Sequence, residues 1–244
     1  MDAPANPASF APRETIYRHA LPVRLSHWLT ALCIFILLLS GMQIFNAHPA
    51  LYWGEVSTFD HPLFAPGSFS RWLTLPAGQD LATGRLWHFL AAWGLVASLA
   101  VYYGHGLLSG HLRRDLVPAV SELGEIPHDV AEHAHLRFAK GEAARRYNVL
   151  QKLTYLAVVV VLFPTVVLAG LAMSPGMDAA YPVLLDLFGG RQSARTLHFA
   201  AAAAIALFVA VHLAMVLVSG FRNNLRSMIT GVYAIEPEGD SHVR

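Results

Sequence analysis

The chain has 244 residues, 55% hydrophobic and only 14% charged, with a formal net charge of +1. That balance is too apolar for a soluble domain of this size and places the chain among polytopic membrane proteins, while a net charge near zero argues against a nucleic-acid partner. The one cysteine, Cys33, excludes an intramolecular disulfide, an iron–sulfur cluster and a thioether-linked haem, and its place in an apolar run reads as helix packing.

Four segments reach the roughly 20 apolar residues that span a bilayer: 21–45, 85–109, 152–173 and 195–219. Breakers or charges bound them, among them Pro22, Gly84, Pro175 and Arg222. The first follows a polar stretch and has no small-residue cleavage site behind it, so it reads as a retained helix rather than a signal peptide. The expected architecture is therefore all-α, one membrane domain over residues 1–244 built as a four-helix bundle.

Basic residues orient it. The N-terminal tail, the middle segment 110–151 with adjoining Lys152, and the C-terminal tail together hold thirteen of the seventeen Lys and Arg residues. Arg71, Arg85, Arg191 and Arg195 fall on the opposite side. The positive-inside bias then makes both termini and loop 110–151 cytoplasmic, with loops 46–84 and 174–194 outside. The first outer loop is dense in large apolar groups, including Trp53, Phe59, Phe64, Phe69 and Trp72. Such a face serves either as an interfacial aromatic belt or as a docking surface for an external protein. In the second, Tyr181, Leu184, Leu185, Leu187 and Phe188 suggest a short amphipathic helix on the membrane.

The last apolar segment carries His198 and His212, fourteen residues apart. At about 100° per residue they share one helix face, separated by roughly 21 Å along the axis. A titratable side chain inside hydrocarbon is costly and usually serves as a ligand, a relay or an interhelical contact. Topology gives each a partner at its own depth: His88 opens the second helix at the outer side with His198, and His27 opens the first at the inner side with His212. Pairs joining two helices at one level are what bis-imidazole ligation of a flat macrocycle requires. Three of these histidines follow an arginine by one turn, Arg24, Arg85 and Arg195, where a guanidinium can pair with a haem propionate. The same arginines also simply mark helix ends. Gly41, Gly94, Ala91, Ala92 and the run 200–204 permit close approach. His105, seventeen residues after His88, points away from that residue's face.

The motif Arg24-Leu25-Ser26-His27-Trp28, His88 at the start of the second helix, and the fourteen-residue pair His198 and His212 resemble the membrane cytochrome b subunits of nickel–iron hydrogenases, formate dehydrogenase-N and thiosulfate reductase-type complexes. They are also similar to bacterial cytochrome b561, and the resemblance runs over residues 17–230. It implies two b haems held by His27, His88, His198 and His212, with quinone reacting near the cytoplasmic-side haem. The stretches 46–53 and 146–152 look most like the thiosulfate-reductase-type branch, whose members accompany a periplasmic molybdopterin oxidoreductase.

On this reading the chain sits in a bacterial cytoplasmic membrane, in contact with lipid, and moves electrons between quinone and an outer redox partner. Substrate chemistry takes place on that partner, and no catalytic residue is assigned here. By location, His19, His105, Tyr147 and Asn148 are candidates for the quinone vicinity. Two other functions stand beside this one: a self-sufficient superoxide:quinone oxidoreductase of cytochrome b561 type, and a haem-free transporter or scaffold whose histidines form a proton path. A homo-oligomer is left open.

Overall fold

The computed structural model describes residues 14–78, 80–135 and 148–235. Four helical spans are long and apolar enough to cross a membrane: Leu21–Phe45, Leu81–Leu108, Val149–Ala172 and Arg191–Val218. The first coincides with its expected limits, and Pro22 sits in its opening turn, where a missing N–H costs nothing. The other three begin three or four residues before the positions predicted from Arg85, Lys152 and Arg195. Capping explains the difference. Asp80 accepts a hydrogen bond from Thr83 N–H at 3.0 Å, and Asn148 accepts one from Gln151 N–H at 2.8 Å. Gly190 opens the fourth span at φ +107°. A side chain at Gly190 would collide with the Gly54 carbonyl and the Glu55 carboxylate, each about 2.7 Å from an added Cβ, so glycine is required by space as well as by conformation. The arginines and the lysine therefore lie one turn inside their helices.

The third span is not a uniform helix. Helix α4 (Val149–Leu156) passes through a π-helical stretch, Ala157–Leu162, into α5 (Phe163–Ala172). Pro164 causes the change, because it has no N–H to give and its ring crowds the preceding turn. Phe163 N–H bonds Val158 O rather than Val159 O. The Val159 carbonyl is instead taken by the Tyr103 hydroxyl, which donates to it at 2.5 Å from the second span. A hydroxyl on a neighbouring helix thus repairs the gap, as hydrocarbon demands.

With α1 as Leu21–Phe45, α2 as Leu81–Leu108 and α8 as Arg191–Val218, the backbones approach closely in two pairs, α1 along α2 and α5 along α8. Buried serine and threonine bind the first pair: Ser98 Oγ donates to Ser26 O at 2.8 Å and lies 2.7 Å from Thr30 Oγ1. Cys33 packs against Gly94, where an added Cβ would come within 2.9 Å of its sulfur. Between the two pairs, at mid-depth, lies an apolar core of Cys33, Leu95, Leu99, Val158, Phe163 and Ile205. Outward, Leu32, Phe35, Leu90, Trp93, Leu207 and Leu213 are more than half exposed, a surface suited to lipid.

At the loop end, segment 46–78 folds over the bundle. Asn46 exchanges two hydrogen bonds with the Phe69 backbone, and Ser193 and Thr196 of α8 bond Gly54 and Tyr52. The second loop forms two short helices, α6 (Pro175–Ala180) and α7 (Val183–Leu187). The opposite, termini end carries features that hydropathy did not announce. Helix α3 (Ile126–Ala134) packs by α4, where Asp129 accepts from Val149 N–H and Glu122 pairs with Lys152 at 2.8 Å. Helix α9 (Phe221–Thr230) turns back after Gly220, and strands β1 (Thr15–Tyr17) and β2 (Val232–Ala234) pair antiparallel with Ile16 opposite Tyr233. Among the described residues the bundle is all-α apart from this three-pair ribbon joining the two tails and a single antiparallel bridge between Leu51 and Phe64 in the loop.

Candidate functional site

The four membrane histidines meet in the two expected pairs. His88 of α2 faces His198 of α8 at the loop end, with ring centroids 6.1 Å apart. His27 of α1 faces His212 of α8 at the termini end, at 6.3 Å. Both pairs are tilted by 59°, and each joins one helix of the first packed pair to the shared helix α8. The apolar core separates the two levels.

Behind the rings the two sites differ. His198 Nδ1 lies 2.8 Å from the Val166 carbonyl, which can only accept, so Nδ1 carries the proton and Nε2 keeps its lone pair. His88 Nδ1 lies 3.0 Å from Ser40 Oγ, and the Ser40 hydroxyl gives its own hydrogen to Ile36 O at 2.7 Å. Ser40 is therefore the acceptor, and His88 takes the same tautomer. Glycines make room for these rings: a Cβ on Gly170 would stand 3.2 Å from His198 Cε1, and one on Gly41 3.5 Å from His88 Cε1. At the other level, His27 Nδ1 is buried with no hydrogen-bond partner among the described residues. His27 meets Trp28 edge-on at 5.2 Å, and His212 stacks on Phe208 at 5.8 Å.

The three arginines have separate surroundings. Arg195 donates to the carbonyls of Ala50 and His48 and lies over the Phe45 ring, so it fastens the loop-end segment to α8. Arg24 donates to Ile229 O at the C-terminus of α9, while its Nε is buried without a partner among the described residues. Arg85 is exposed, with its guanidinium 5.7 Å from the centre of the Phe89 ring.

Of the residues placed near quinone by sequence, His19 sits at the termini end beside the ribbon, its N–H directed at Gly231 O. Burial, then the charges of Arg18, His27, His111 and Arg24, hold its imidazole down at about 4. His105 lies in the last turn of α2 with Nδ1 buried and unpartnered among the described residues. Asn148 is committed to capping α4 through its reciprocal bonds with Gln151. Tyr147 lies outside the described residues. Sequence reasoning missed Ser40, Val166, Gly170 and Phe208. The Ser40-Gly41 step in an apolar helix was the one available signal.

A metal midway between two imidazoles, with bonds of about 2 Å to each, sets the ring centroids about 6 Å apart, and both pairs have this spacing. Among the described residues no three His, Cys, Asp or Glu side chains gather to complete a protein-only metal site. The remaining ligands would have to come from a bound group seated between the helix pairs; each imidazole pair would supply two donors to it, and at the loop end the tautomers of both rings are fixed for that role. The histidine pairs fit haem. Over residues 18–231 the sequence matches the prokaryotic cytochrome b561 family. The chain belongs to that family. As a cytochrome b561 it is a membrane subunit for electron transfer on haem b. It is also 30% identical, over 80% of its length and 87% of the relative's, to a chain of Azospira oryzae that carries the name protein-methionine-sulfoxide reductase subunit YedZ1. No solved structure matches it.

Proposed function

We propose that this cytochrome b561 conducts electrons between the membrane quinone pool and a redox enzyme docked on its loop end, using two haem sites at two depths. His88 and His198 hold the loop-end haem, and His27 and His212 hold the termini-end haem. The observation that carries this reading is the sharing of one helix, α8, by two facing imidazole pairs of equal spacing. Bound haem supplies one-electron chemistry, its iron passing between ferric and ferrous states. The protein supplies the rest. Val166 O and Ser40 Oγ fix two of the imidazoles, and the apolar core between the levels keeps water from the path. Arg24, Arg85 and Arg195 stand at the correct ends for propionates, Arg24 with one donor uncommitted.

The basic tails and middle segment favour a cytoplasmic termini end in a bacterial inner membrane, which sets the loop end outside. There Trp53, Phe59, Phe64, Trp72, Tyr181 and Leu187 are all more than half exposed. This surface favours a docked protein over a self-sufficient superoxide:quinone oxidoreductase, which would need only a small anion pocket. The partner is a periplasmic oxidoreductase of the molybdopterin kind, and the name of the Azospira relative makes methionine sulfoxide in proteins the first substrate to try. Reduction of one sulfoxide to thioether and water consumes two electrons, which one quinol supplies as two single-electron deliveries while releasing its two protons at the termini end, and two protons taken up from water on the partner's side. His105, whose Nδ1 is buried and unpartnered among the described residues at the termini end, is the candidate to receive the quinol's protons, whereas His19, held at about 4, stays neutral there.

A reduced-minus-oxidised spectrum and a haem assay on the purified chain test the reading. We expect about two b haems per chain, both reducible by a quinol. Absence of a Soret band ends it. Rapid haem reduction by superoxide in the chain alone, with no stable partner, would transfer the assignment to the self-sufficient enzyme.

A further inference from the structure

We infer that Ser40 is a positioning residue of the loop-end site, where its hydroxyl oxygen holds the His88 Nδ1–H and lowers the reduction potential of the haem on His88 and His198; this rests on the haem reading above. Ser40 is fully buried in α1, with no exposed surface. Its hydrogen is spent on Ile36 O at 2.7 Å, with Leu37 O at 3.3 Å, so toward His88 Nδ1 at 3.0 Å it can only accept. Next in sequence, Gly41 leaves the ring its place: a Cβ there would lie 3.5 Å from His88 Cε1.

The chemical consequence follows from the direction of the bond. An imidazole whose Nδ1–H is drawn toward an acceptor becomes a stronger donor at Nε2, and a stronger donor favours the ferric over the ferrous iron. At the loop end His198 has the same support from Val166 O. At the termini end His27 Nδ1 has no such acceptor among the described residues. Of the acceptors behind these rings, a carbonyl is a backbone constant, whereas Ser40 is a side chain that one substitution removes. It is therefore the point at which the sequence sets the loop-end site apart from the other.

The test is a potentiometric titration of the purified holoprotein and of the variants Ser40→Ala and Ser40→Thr. The component that survives His27→Ala marks the loop-end haem. Ser40→Ala is expected to move that component to higher potential and leave the other in place, while Ser40→Thr, which restores a hydroxyl, returns it to the wild-type position. Loss of the loop-end haem in Ser40→Ala with retention in Ser40→Thr also supports the assignment. An unchanged potential in Ser40→Ala overturns it. Equal shifts, or equal haem loss, in both variants overturn it in favour of packing. A wild-type chain without haem sinks the haem reading first, and this assignment with it.

Discussion

The two imidazole pairs have nearly the same ring separation but different backing. At the loop end both rings are held from behind by oxygen acceptors, Ser40 Oγ and Val166 O, and stand against glycines. At the termini end His27 lies against Trp28 and His212 against Phe208, with His27 Nδ1 unpartnered among the described residues. Equal spacing between the rings fits a common group. The backing gives the two imidazole pairs different environments, one fixed by hydrogen bonds and one by aromatic packing. The ends of the bundle differ in the same sense: the loop end presents exposed aromatics, whereas the termini end is closed by a ribbon and an amphipathic helix.

The largest effect should come from removing a ring. His198→Ala is expected to leave about one haem per chain, that on His27 and His212, and His212→Ala the converse. Haem assays with redox titration check this, and loss of the same component in both variants would break the depth pairing. Next is the cradle. Gly170→Ala forces the His198 ring to yield by a few tenths of an ångström and is expected to cost about 1–3 kcal/mol, read as a fall in the melting temperature of the holoprotein. Gly41→Ala, at ordinary contact distance, is expected to be nearly silent; a reversed order would mean that His88 is the more tightly cradled ring.

Smaller effects lie at the termini end. Asn148→Ala removes the side-chain half of the α4 cap, the acceptor for Gln151 N–H, and should cost about 1 kcal/mol without changing either haem's spectrum. A spectral change in this variant would draw Asn148 back toward the quinone site. The smallest is a pH dependence. His19 titrates at about 4 in the fold, against 6.5 unperturbed. Between these values an opened tail binds a proton that the closed one refuses, so the ribbon's stability is complete above pH 6.5 and falls as the pH drops toward 4. Hydrogen exchange at residues 15–17 and 232–234, compared between the wild type and His19→Gln, should show this slope flattened in the variant.

Much of the site was legible because hydrocarbon makes polar side chains conspicuous. His27, His88, His198 and His212 stood out by cost alone, and helix periodicity with alternating topology sufficed to pair them. Arg195 shows where such reading stops. Its position one turn before His198 suggests a propionate partner, and only the structure adds that the loop folds over α8 so that the guanidinium also donates to the Ala50 and His48 carbonyls. Asn148, at the depth expected for quinone, also caps α4, a role that location alone does not reveal. Three helices start three or four residues before the limits that breakers and charge suggest, because Asp80, Asn148 and Gly190 set those ends.

By itself, then, the sequence determined that four helices cross a membrane and that four histidines lie at two depths, because both depend on residue type and helical repeat. Only the tertiary structure decided which atoms stand behind each ring. Ser40 reaches His88 across forty-eight residues of chain, and Val166 reaches His198 across thirty-two. Such contacts depend on how one helix is rotated against another, a quantity fixed by packing over the whole interface and not by any local pattern.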